Sequence, residues 1–357
     1  MINVAIIGVG NSSNLHMPFI EAVDGLKLTH VLERKATAEK SVAREKWSHL
    51  EPFKVVNSYE EVLNDSDVNL VVITTSNTSH YDLTKGALQA GKNVVVEKPM
   101  TPSSEQALEL ADLATAKGLI LAVFHNRRYD GDFLTVSKLI RDGKLGDISS
   151  FESRFDRFRP NTKGGWREEG DFSQGSGVLW DLSSHLIDQS VKLFGKPQQI
   201  SAIVQNSRQK GELNVDDSFT VHLHYNTGKI PLVATVGASV LACFNDQLRY
   251  KVSGTSGSFI KYGFDVQEAQ IKEGVKALDS SFGVDDKNSH GTYTNADLKT
   301  ETVETTRGAW IDFYKNVAAA INNQMKLAVD PFSAALTVRL IELAQQSSKE
   351  GRRIDIS

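Results

Sequence analysis

The sequence predicts an α/β protein in which an N-terminal, doubly wound parallel sheet is followed by an α+β domain with a large, mainly antiparallel open sheet. Two patterns in its 357 residues support this prediction. Up to about residue 123, short apolar runs alternate with segments of helical spacing. Beyond about residue 125, alternating β-type segments and glycine-rich turns become common. We therefore expect two domains, residues 1–123 and 124–357.

Six strands are predicted in the first domain, at the apolar runs INVAIIG, LKLTHVLE, FKVVN, NLVVITT, KNVVVE and LILAVF. These runs are apolar on both faces, so helices should cover both sides of the sheet. Residues 79–90 and 103–117 have apolar residues at helical spacing, and Gly91 and Gly118 follow them directly. Strands that alternate with helices predict a parallel sheet.

The second domain should begin with a helix at about residues 131–143, and another helix should open near Asp181. Strands are predicted at residues 216–226, 229–240 and 247–254, which NTG and SGTSG turns punctuate. A last helix, at about residues 332–349, could pack on either domain.

Composition excludes several classes of partner. The chain has 40 Lys plus Arg against 44 Asp plus Glu, a formal net charge of −4, and no long block of like charge, so neither nucleic acid nor a membrane surface is an expected partner. No apolar stretch approaches the roughly 20 residues that span a bilayer. Cys243 is the single cysteine, which excludes an internal disulfide and favours a cytoplasmic location. It has no nearby histidine, so no metal site is expected.

The stretch GVGNSSNLHMP follows the first predicted strand. Gly8 would permit a tight turn, and Gly10 would let a pyrophosphate approach the backbone. The next residues, Asn11, Ser12 and Ser13, would bind it at a helix N-terminus, with Ser13 in place of the usual third glycine. The alternative is a plain strand-to-helix turn.

The second predicted strand ends at Glu33. A carboxylate there would accept hydrogen bonds from the adenine ribose and repel a 2′-phosphate, which favours NAD. Arg34 follows and could stack on adenine or pair with that phosphate, which keeps NADP open. Alternatively, both are solvated charges at a strand end.

The run VVVEKPM brings a buried strand directly to Glu97, Lys98 and Pro99. Because the carboxyl ends of strands in a parallel open sheet face the ligand, Lys98 should lie where cofactor and substrate meet. Glu97 could hold it, and Pro99 stiffens the turn. Alternatively, Lys98 is only a charged residue on the protein surface.

The segment GSGVLWDLSSHLIDQ places Asp181 and His185 four residues apart, which puts both on one face of a helix. Gly175 and Gly177 would leave room for a ligand at the start of that helix. Alternatively, Asp181 is a helix cap and His185 a core histidine.

These pieces together resemble the Gfo/Idh/MocA family of NAD(P)-dependent oxidoreductases along the whole chain. The resemblance is carried by GVGNSSNLHMP, TTSNTSHYDLTKGALQAGKNVVVEKPM, HNRRYDGDFLTVSKLIRDGKLGDI and GSGVLWDLSSHLIDQSVKLFG. The segments FDRFRP, GWREEG and GSFIKYGFDVQEA are similar to the branch that contains NADP-dependent scyllo-inositol dehydrogenases.

The resemblance implies a Rossmann domain, and a C-terminal sheet that often forms the interface of a homodimer or higher homo-oligomer. It implies that Lys98 is the catalytic lysine, that His185 is the acid/base, and that Asp181 binds or orients substrate. It also implies a cis Lys98–Pro99 bond.

Further site residues follow from the same resemblance. Cofactor-binding positions are Thr75, Asn77 and His80 in the loop after the fourth strand, Glu97 and Lys98 in the Glu-Lys-Pro motif, and Arg128. Arg127 would lie near the substrate. In the glycine-rich loop, Trp166 and Arg167, with Arg157 and Arg159, are candidates to contact substrate, although each could equally be loop scaffold or an interface contact.

The expected activity is hydride transfer, with NAD or NADP, from a secondary alcohol of a sugar or an inositol-like polyol. Lys98 would polarise the oxygen while His185 takes the proton. The cofactor carries the redox chemistry, so no metal is needed. Two alternatives stay open: a nonenzymatic regulatory protein that senses dinucleotide, and a reductase of small carbonyls or dihydrodiols.

Overall fold

A computed structural model of the protein describes residues 1–50, 52–226 and 228–356, with the side chains of Trp166 and Arg167 left out. The chain forms two compact units. Unit 1 comprises Met1–Asn126, Glu268–Phe282 and Ala309–Ala335, and unit 2 comprises Arg127–Gln267, Gly283–Gly308 and the chain from Leu336 onward. Among the described residues, no helix has both the length and the apolar character needed to cross a bilayer.

Unit 1 contains a six-stranded, fully parallel sheet. Its strands are β1 (Ile2–Ile7), β2 (Leu26–Leu32), β3 (Lys54–Val56), β4 (Leu70–Ile73), β5 (Asn93–Val96) and β6 (Leu121–Val123). The helices between them are α1 (Ser13–Ala22), α2 (Val42–Trp47), α3 (Tyr59–Asn64), α4 (His80–Gln89) and α5 (Ser104–Lys117). The strand order 3-2-1-4-5-6 confirms the predicted doubly wound sheet and is that of a Rossmann domain.

Local sequence explains these boundaries. Val94, Val95 and Val96 are fully buried, as expected of a central strand covered on both faces. Helix α5 begins after Ser103, whose side chain accepts the Gln106 N–H, and ends at Gly118, which has a φ of +64°.

In unit 2, nine strands form a mixed sheet in which only β7 and β10 pair in parallel, which confirms the mainly antiparallel prediction for the described residues. The helices are α6 (Gly131–Arg141), α7 (Trp166–Glu169) and α8 (Ser184–Phe194). The strands are β7 (Ile148–Arg154), β8 (Gln199–Gln205), β9 (Ser218–Tyr225), β10 (Leu232–Ser239), β11 (Leu248–Gly254), β12 (Gly257–Tyr262), β13 (Gly291–Asn295), β14 (Thr300–Val303) and β15 (Ile354–Asp355). Their order in the sheet is β14-β13-β12-β11-β7-β10-β9-β8-β15.

Three later helices complete the chain: α9 (Gln267–Lys272), α10 (Ile311–Ile321) and α11 (Pro331–Glu350). Only α11 was predicted. Within unit 1, α10 contributes Phe313, whose ring meets Phe124 edge to face at 5.0 Å, and Trp310 precedes α10 and packs against Phe19 in the same way at 6.3 Å. These buried rings join α10 to the Rossmann sheet although it is distant in sequence.

Candidate active site

The turn between β1 and α1 is tightly packed at Gly8 and open at Gly10. Gly8 has a φ of +102°, and a Cβ there would lie 3.3 Å from both Thr74 Oγ1 and Thr75 Cγ2. The Thr74 hydroxyl donates to Ile7 O or Gly8 O, each 3.1 Å away. A Cβ built on Gly10 would meet no atom within 4 Å. The backbone is therefore open on that side, which fits the close approach of a pyrophosphate.

The start of α1 also fits an anion. Ser13, the substitute for the third glycine, is fully buried, and its hydroxyl donates to Gly10 O at 2.7 Å, which closes the turn. Asn11 is exposed, and Ser12 occupies the N-cap position without making a side-chain cap. Since a helix N-terminus presents backbone N–H groups and a partial positive charge, these positions fit a phosphate.

Glu33 accepts hydrogen bonds from the segment that begins α2. Its Oε1 accepts the Val42 N–H at 2.9 Å, and its Oε2 accepts the Ser41 hydroxyl at 2.8 Å and the Ala43 N–H at 3.1 Å. Burial raises the pKa of Glu33, but the Ala43, Val42 and Ser41 donors together outweigh it and leave the pKa below its ordinary value. The ionised carboxylate thus caps the start of α2, and its contact with an adenine ribose stays a prediction.

Lys98 directly follows Glu97, which forms a buried pair with His16. The sequence patterns did not reveal this pair. Glu97 Oε1 lies 3.0 Å from His16 Nε2, and His16 Nδ1 lies 2.6 Å from the Tyr314 hydroxyl. The other Glu97 oxygen accepts the backbone N–H of Lys98 at 3.0 Å. Burial raises the pKa of Glu97, but the hydrogen bond and charge interaction with His16 and the charge of Lys98 bring it below its ordinary value.

The sequence indicates only one part of this arrangement. His16 lies inside the glycine motif, three positions into α1, where a fully buried histidine requires a polar partner. Tyr314 comes 298 residues later in the chain, so spacing could not have connected it.

The loop after β4 and the Lys98–Pro99 bond are held together by His80. This ring is fully buried, with Nδ1 2.9 Å from Pro99 O and Nε2 3.2 Å from Thr75 O. Burial lowers the pKa of His80 more than these carbonyls raise it, so the neutral ring donates its one N–H either to Pro99 O or to Thr75 O. The Lys98–Pro99 bond is cis, as the family resemblance implies. His80 therefore braces backbone at this edge, while Asn77, also buried, opens the turn before α4.

In unit 2, Asp181 and His185 lie on one continuous helical segment. Asp181 belongs to a π-helical turn, Leu179–Ser183, which runs directly into α8. A π turn is wider than an α turn, so Asp181 is displaced from the i, i+4 position expected in a regular helix. His185 is 7% exposed and meets the ring of Phe155 edge to face at 6.3 Å. Single π turns inside helices are frequent at functional sites.

Asp216 anchors the start of that segment and was not predicted. Its Oδ2 accepts the Leu179 N–H at 2.6 Å, and its backbone oxygen accepts the Val178 N–H at 3.1 Å. A Cβ on Gly177 would lie 2.1 Å from Asp216 Oδ1. The space at Gly177 is therefore filled by a carboxylate, and the expectation that this glycine leaves room for a ligand was wrong. Burial raises the pKa of Asp216 to about 7, although the Leu179 N–H opposes the shift.

Arg127 and Arg128 lie in a short turn, Asn126–Tyr129. Arg128 makes a bidentate pair with Asp188 of α8, Nε to Oδ2 at 2.8 Å and Nη2 to Oδ1 at 2.6 Å, and is only 6% exposed. Arg127 Nη1 lies 3.3 Å from Asp130 Oδ2, and its guanidinium stacks over the ring of Phe155 at 5.0 Å. The Arg128 guanidinium therefore holds α8 directly, while the Arg127 guanidinium lies against Phe155, whose ring also meets His185 of α8.

The same helix is also held through Gln189, four residues after His185. Its Nε2 donates to Arg127 O at 2.6 Å, and its Oε1 accepts from Arg249 Nη2 at 3.0 Å and from the Tyr250 hydroxyl at 2.8 Å. Since all these groups are buried or nearly so, the position of α8 is fixed by a connected polar network.

The glycine-rich loop gives less information about substrate contacts. Trp166 and Arg167 open α7, and their side chains lie outside the described part of the structure. Arg159 is exposed, and the Arg157 backbone N–H donates to Ser239 O at 2.8 Å.

The predicted residues thus fall into two groups. At the carboxyl ends of the strands of unit 1 lie Gly8, Gly10, Glu33, Arg34, Thr75, Asn77, His80, Glu97 and Lys98. On or beside the α8 segment of unit 2 lie Arg127, Arg128, Asp181 and His185. Among the described residues, no group of three or more His, Cys, Asp or Glu side chains is arranged to hold a metal ion.

The two parts of the chain match known family profiles. Residues 2–125 match the oxidoreductase family's NAD-binding Rossmann fold, and residues 137–356 match the C-terminal alpha/beta domain of the same family. An oxidoreductase of Bacillus subtilis, yvaA, has a solved structure that superposes with a TM-score of 0.91 at 36% identity and covers 100% of this chain and 98% of its own.

Curated relatives extend over the full length. An uncharacterised oxidoreductase of Schizosaccharomyces pombe is 38% identical and covers 100% of this chain and 99% of its own. The scyllo-inositol 2-dehydrogenase (NADP(+)) IolW of Bacillus subtilis is 37% identical and covers 99% of this chain and 95% of its own. The protein therefore belongs to the Gfo/Idh/MocA family and is an NAD(P)-dependent oxidoreductase.

Proposed function

We propose that this oxidoreductase interconverts a secondary alcohol and a ketone on a sugar or an inositol-like polyol, and that Lys98, His185 and Asp181 carry the chemistry. The observation that carries the proposal is the anchoring of Lys98. Its backbone N–H is bound by Glu97, which His16 ties to the helix that follows the glycine turn. A half-buried lysine is thereby placed at the carboxyl edge of the parallel sheet, where such folds bind ligands.

The nicotinamide group, when bound, supplies the hydride acceptor or donor. The chain must then move one proton and stabilise one developing oxyanion. An imidazole can take and return a proton near neutral pH, and we assign this step to His185. The Lys98 ammonium stabilises negative charge on the reacting oxygen.

We assign a substrate-binding role to Asp181. Its carboxylate accepts a hydrogen bond from a substrate hydroxyl next to the reacting carbon. A carboxylate accepts two or more hydroxyl hydrogens and therefore suits a substrate with neighbouring hydroxyl groups. The π turn places Asp181 at the start of the segment that carries His185, and Asp216 fixes the first residue of that turn. The name of the relative IolW supports an inositol-type substrate.

The experiment is a substrate panel with the purified protein. Inositol isomers and aldoses are offered with NAD or NADP, whereas inositol ketones, ketoses and small carbonyl compounds are offered with NADH or NADPH. Formation or loss of the reduced nicotinamide is followed by absorbance. We expect turnover to be fastest with a cyclic polyol or its ketone. Dinucleotide binding without turnover of any compound would instead support a regulatory protein, and turnover of small carbonyls or dihydrodiols alone would contradict the polyol assignment.

We further propose that the outer face of the unit 2 sheet joins two copies of the chain. Ile203 and Val233 belong to strands whose paired registers put them on one face, and they are 63% and 37% exposed. Exposed apolar side chains on a broad sheet support an interface. Light scattering of the purified protein should give twice the monomer mass, and a stable monomer would contradict this.

A further inference from the structure

We propose that Arg208 is a positioning residue for substrate binding, because it holds the glycine-rich loop, residues 157–177, in one shape. The inference rests on the proposed function, since this loop leads directly into the segment that carries Asp181 and His185. Five of the 17 residues from 161 to 177 are glycine. Because glycine restricts the backbone least, such a loop keeps one shape only if side chains from elsewhere hold it.

One side of the Arg208 guanidinium is fixed within the connection between β8 and β9, residues 206–217. Its Nε donates to Asp217 Oδ2 at 2.8 Å, and the backbone N–H of Arg208 donates to the same oxygen at 3.1 Å. The other oxygen of Asp217 accepts the Ser207 N–H at 2.6 Å. The side chains of Arg208 and Asp217 are only 5% and 1% exposed, so this ion pair is shielded from solvent.

The other side of the guanidinium holds the glycine-rich loop. Nη2 donates to Glu168 Oε1 at 2.9 Å, and Nη1 donates to the backbone oxygen of Asn161 at 3.2 Å. Glu168 also closes the loop on itself, because its Oε2 accepts the N–H groups of Lys163 and Gly164 at 2.6 and 2.9 Å. Burial raises the pKa of Glu168, but these N–H groups and the Arg208 charge bring it below its ordinary value, so the carboxylate is ionised.

The shape of the arginine side chain matters for this link. Three nitrogens of one planar guanidinium bind three separate acceptors, in Asp217, Glu168 and Asn161. A lysine ammonium is a compact charge on a flexible stem, so it can keep the pair with Asp217 but cannot bind the loop in the same geometry. Replacing Arg208 with Lys therefore removes the link and retains the buried charge.

The connection that carries Arg208 also fixes the segment of the proposed catalytic residues. Asp216, next to Asp217, accepts two backbone N–H groups at the start of the π turn. The loop packs on the same turn, since the ring of Phe172 lies 5.1 Å from that of Trp180. The two adjacent carboxylates therefore hold the loop and the π turn in one fixed relation, and a substrate bound at this turn meets a loop whose position Arg208 sets.

The test measures kcat and the KM values of polyol and dinucleotide for Arg208→Lys, with the preferred pair from the substrate panel. We expect the KM of the polyol to rise ~10-fold or more while kcat and the dinucleotide KM stay within about threefold, because losing binding that the ground and transition states share raises KM alone. Lys210→Ala is the matched control. Lys210 is an exposed cation of the same connection, with Nζ 3.4 Å from Pro160 O, and its loss should change the polyol KM by less than about twofold.

Glu168→Ala breaks the same link from the loop side and leaves the buried pair of Arg208 with Asp217 intact. We expect a similar rise in the polyol KM. Because both variants remove one link, the double variant should raise the polyol KM by no more than about twofold beyond either single variant. A second measurement needs no substrate: trypsin should cleave ligand-free Arg208→Lys after Lys163 faster than it cleaves wild type, since the loop opens more often.

The possible results separate this inference from the proposed function. An active wild type with an unchanged polyol KM in both Arg208→Lys and Glu168→Ala would overturn this inference alone, and a lower melting temperature as the sole change would show that the link only stabilises the fold. An equal rise in KM in Lys210→Ala would overturn it too, because it would show a general effect of charge. No turnover by wild type with any compound would contradict the proposed function and this inference together.

Discussion

The Nε2 atom of His16 lies 3.0 Å from Oε1 of Glu97, and both side chains are buried. This bond connects α1, the helix after the glycine turn, to the end of β5, where Lys98 follows. Three elements meet here, because the other nitrogen of His16 faces Tyr314 of α10. We interpret His16 as a positioning residue for Lys98.

Replacing His16 with Phe should lower both stability and turnover. It leaves Glu97 Oε1 and the Tyr314 hydroxyl without the partner they have in the wild type, at a cost of about 2–4 kcal/mol in the free energy of unfolding. We expect kcat to fall ~10-fold or more with little change in the KM of the dinucleotide. Tyr314→Phe is the control: it removes only one hydrogen bond, should cost about 1 kcal/mol, and should keep kcat near wild type. An unchanged kcat in His16→Phe would show that the bond is only structural.

Alanine at Gly8 and at Gly10 should have opposite effects. At Gly8 the φ of +102° and the contacts to Thr74 and Thr75 make a side chain unfavourable, so Gly8→Ala should destabilise the ligand-free protein by about 1–3 kcal/mol. At Gly10 the new methyl group meets no protein atom, so stability should be retained while dinucleotide affinity falls ~10-fold or more. Thermal unfolding without nucleotide, followed by titration with NADH and with NADPH, distinguishes the two. Normal affinity in Gly10→Ala would argue against a pyrophosphate at this turn.

Arg128 and Asp188 should prove energetically coupled. Because the pair is bidentate and buried, removing either partner leaves an uncompensated charge, and Arg128→Ala or Asp188→Ala should each cost about 3–5 kcal/mol. The double variant should lose clearly less than the sum of the two single losses, as chemical denaturation can show. Additive losses would mean that the two side chains act independently.

The stability of unit 2 should depend on the ionisation of Asp216. Its pKa is about 7 in the folded protein against an ordinary 3.8. The folded state therefore binds this proton more tightly, and the stabilisation is present at low pH and lost as pH rises through about 7. Asp216→Asn keeps an oxygen acceptor but does not titrate. Urea unfolding at about pH 5 and about pH 8 should show wild type losing stability relative to the variant at the higher pH. A difference that is independent of pH would contradict the raised pKa.

Much of the Rossmann unit could be predicted because its signals are local. All six apolar runs are strands, since continuous apolar runs of that length form buried parallel strands. Helix α5 ends where Gly118 indicates, because its left-handed backbone conformation needs a glycine. The later strands β13, β14 and β15 could not be predicted, because they are short and their residues do not alternate strongly between apolar and polar. Helix α10 could not be placed either, because its position depends on ring contacts with residues distant in sequence.

The roles of candidate site residues were harder to predict where other residues of the same domain occupy a charged group or fill the space beside it. Glu33 occupies the expected position, but residues eight to ten places later in the chain engage its carboxylate. Gly177 has no side chain of its own, but the Asp216 carboxylate fills the space beside it. Motif spacing identifies which residue stands at a strand or helix end, whereas the available donors decide what that residue binds.

The turnover of the Lys98→Met variant tests the central claim most directly. It is measured with the preferred polyol, and the dinucleotide affinity of the variant is measured in parallel. Methionine keeps the length of the side chain and removes the ammonium, while Lys117→Met, at an exposed lysine of α5, is the matched control. We predict that kcat falls roughly 10²-fold or more, that dinucleotide affinity stays within about threefold, and that the control resembles wild type. A Lys98→Met variant with wild-type turnover would contradict the account.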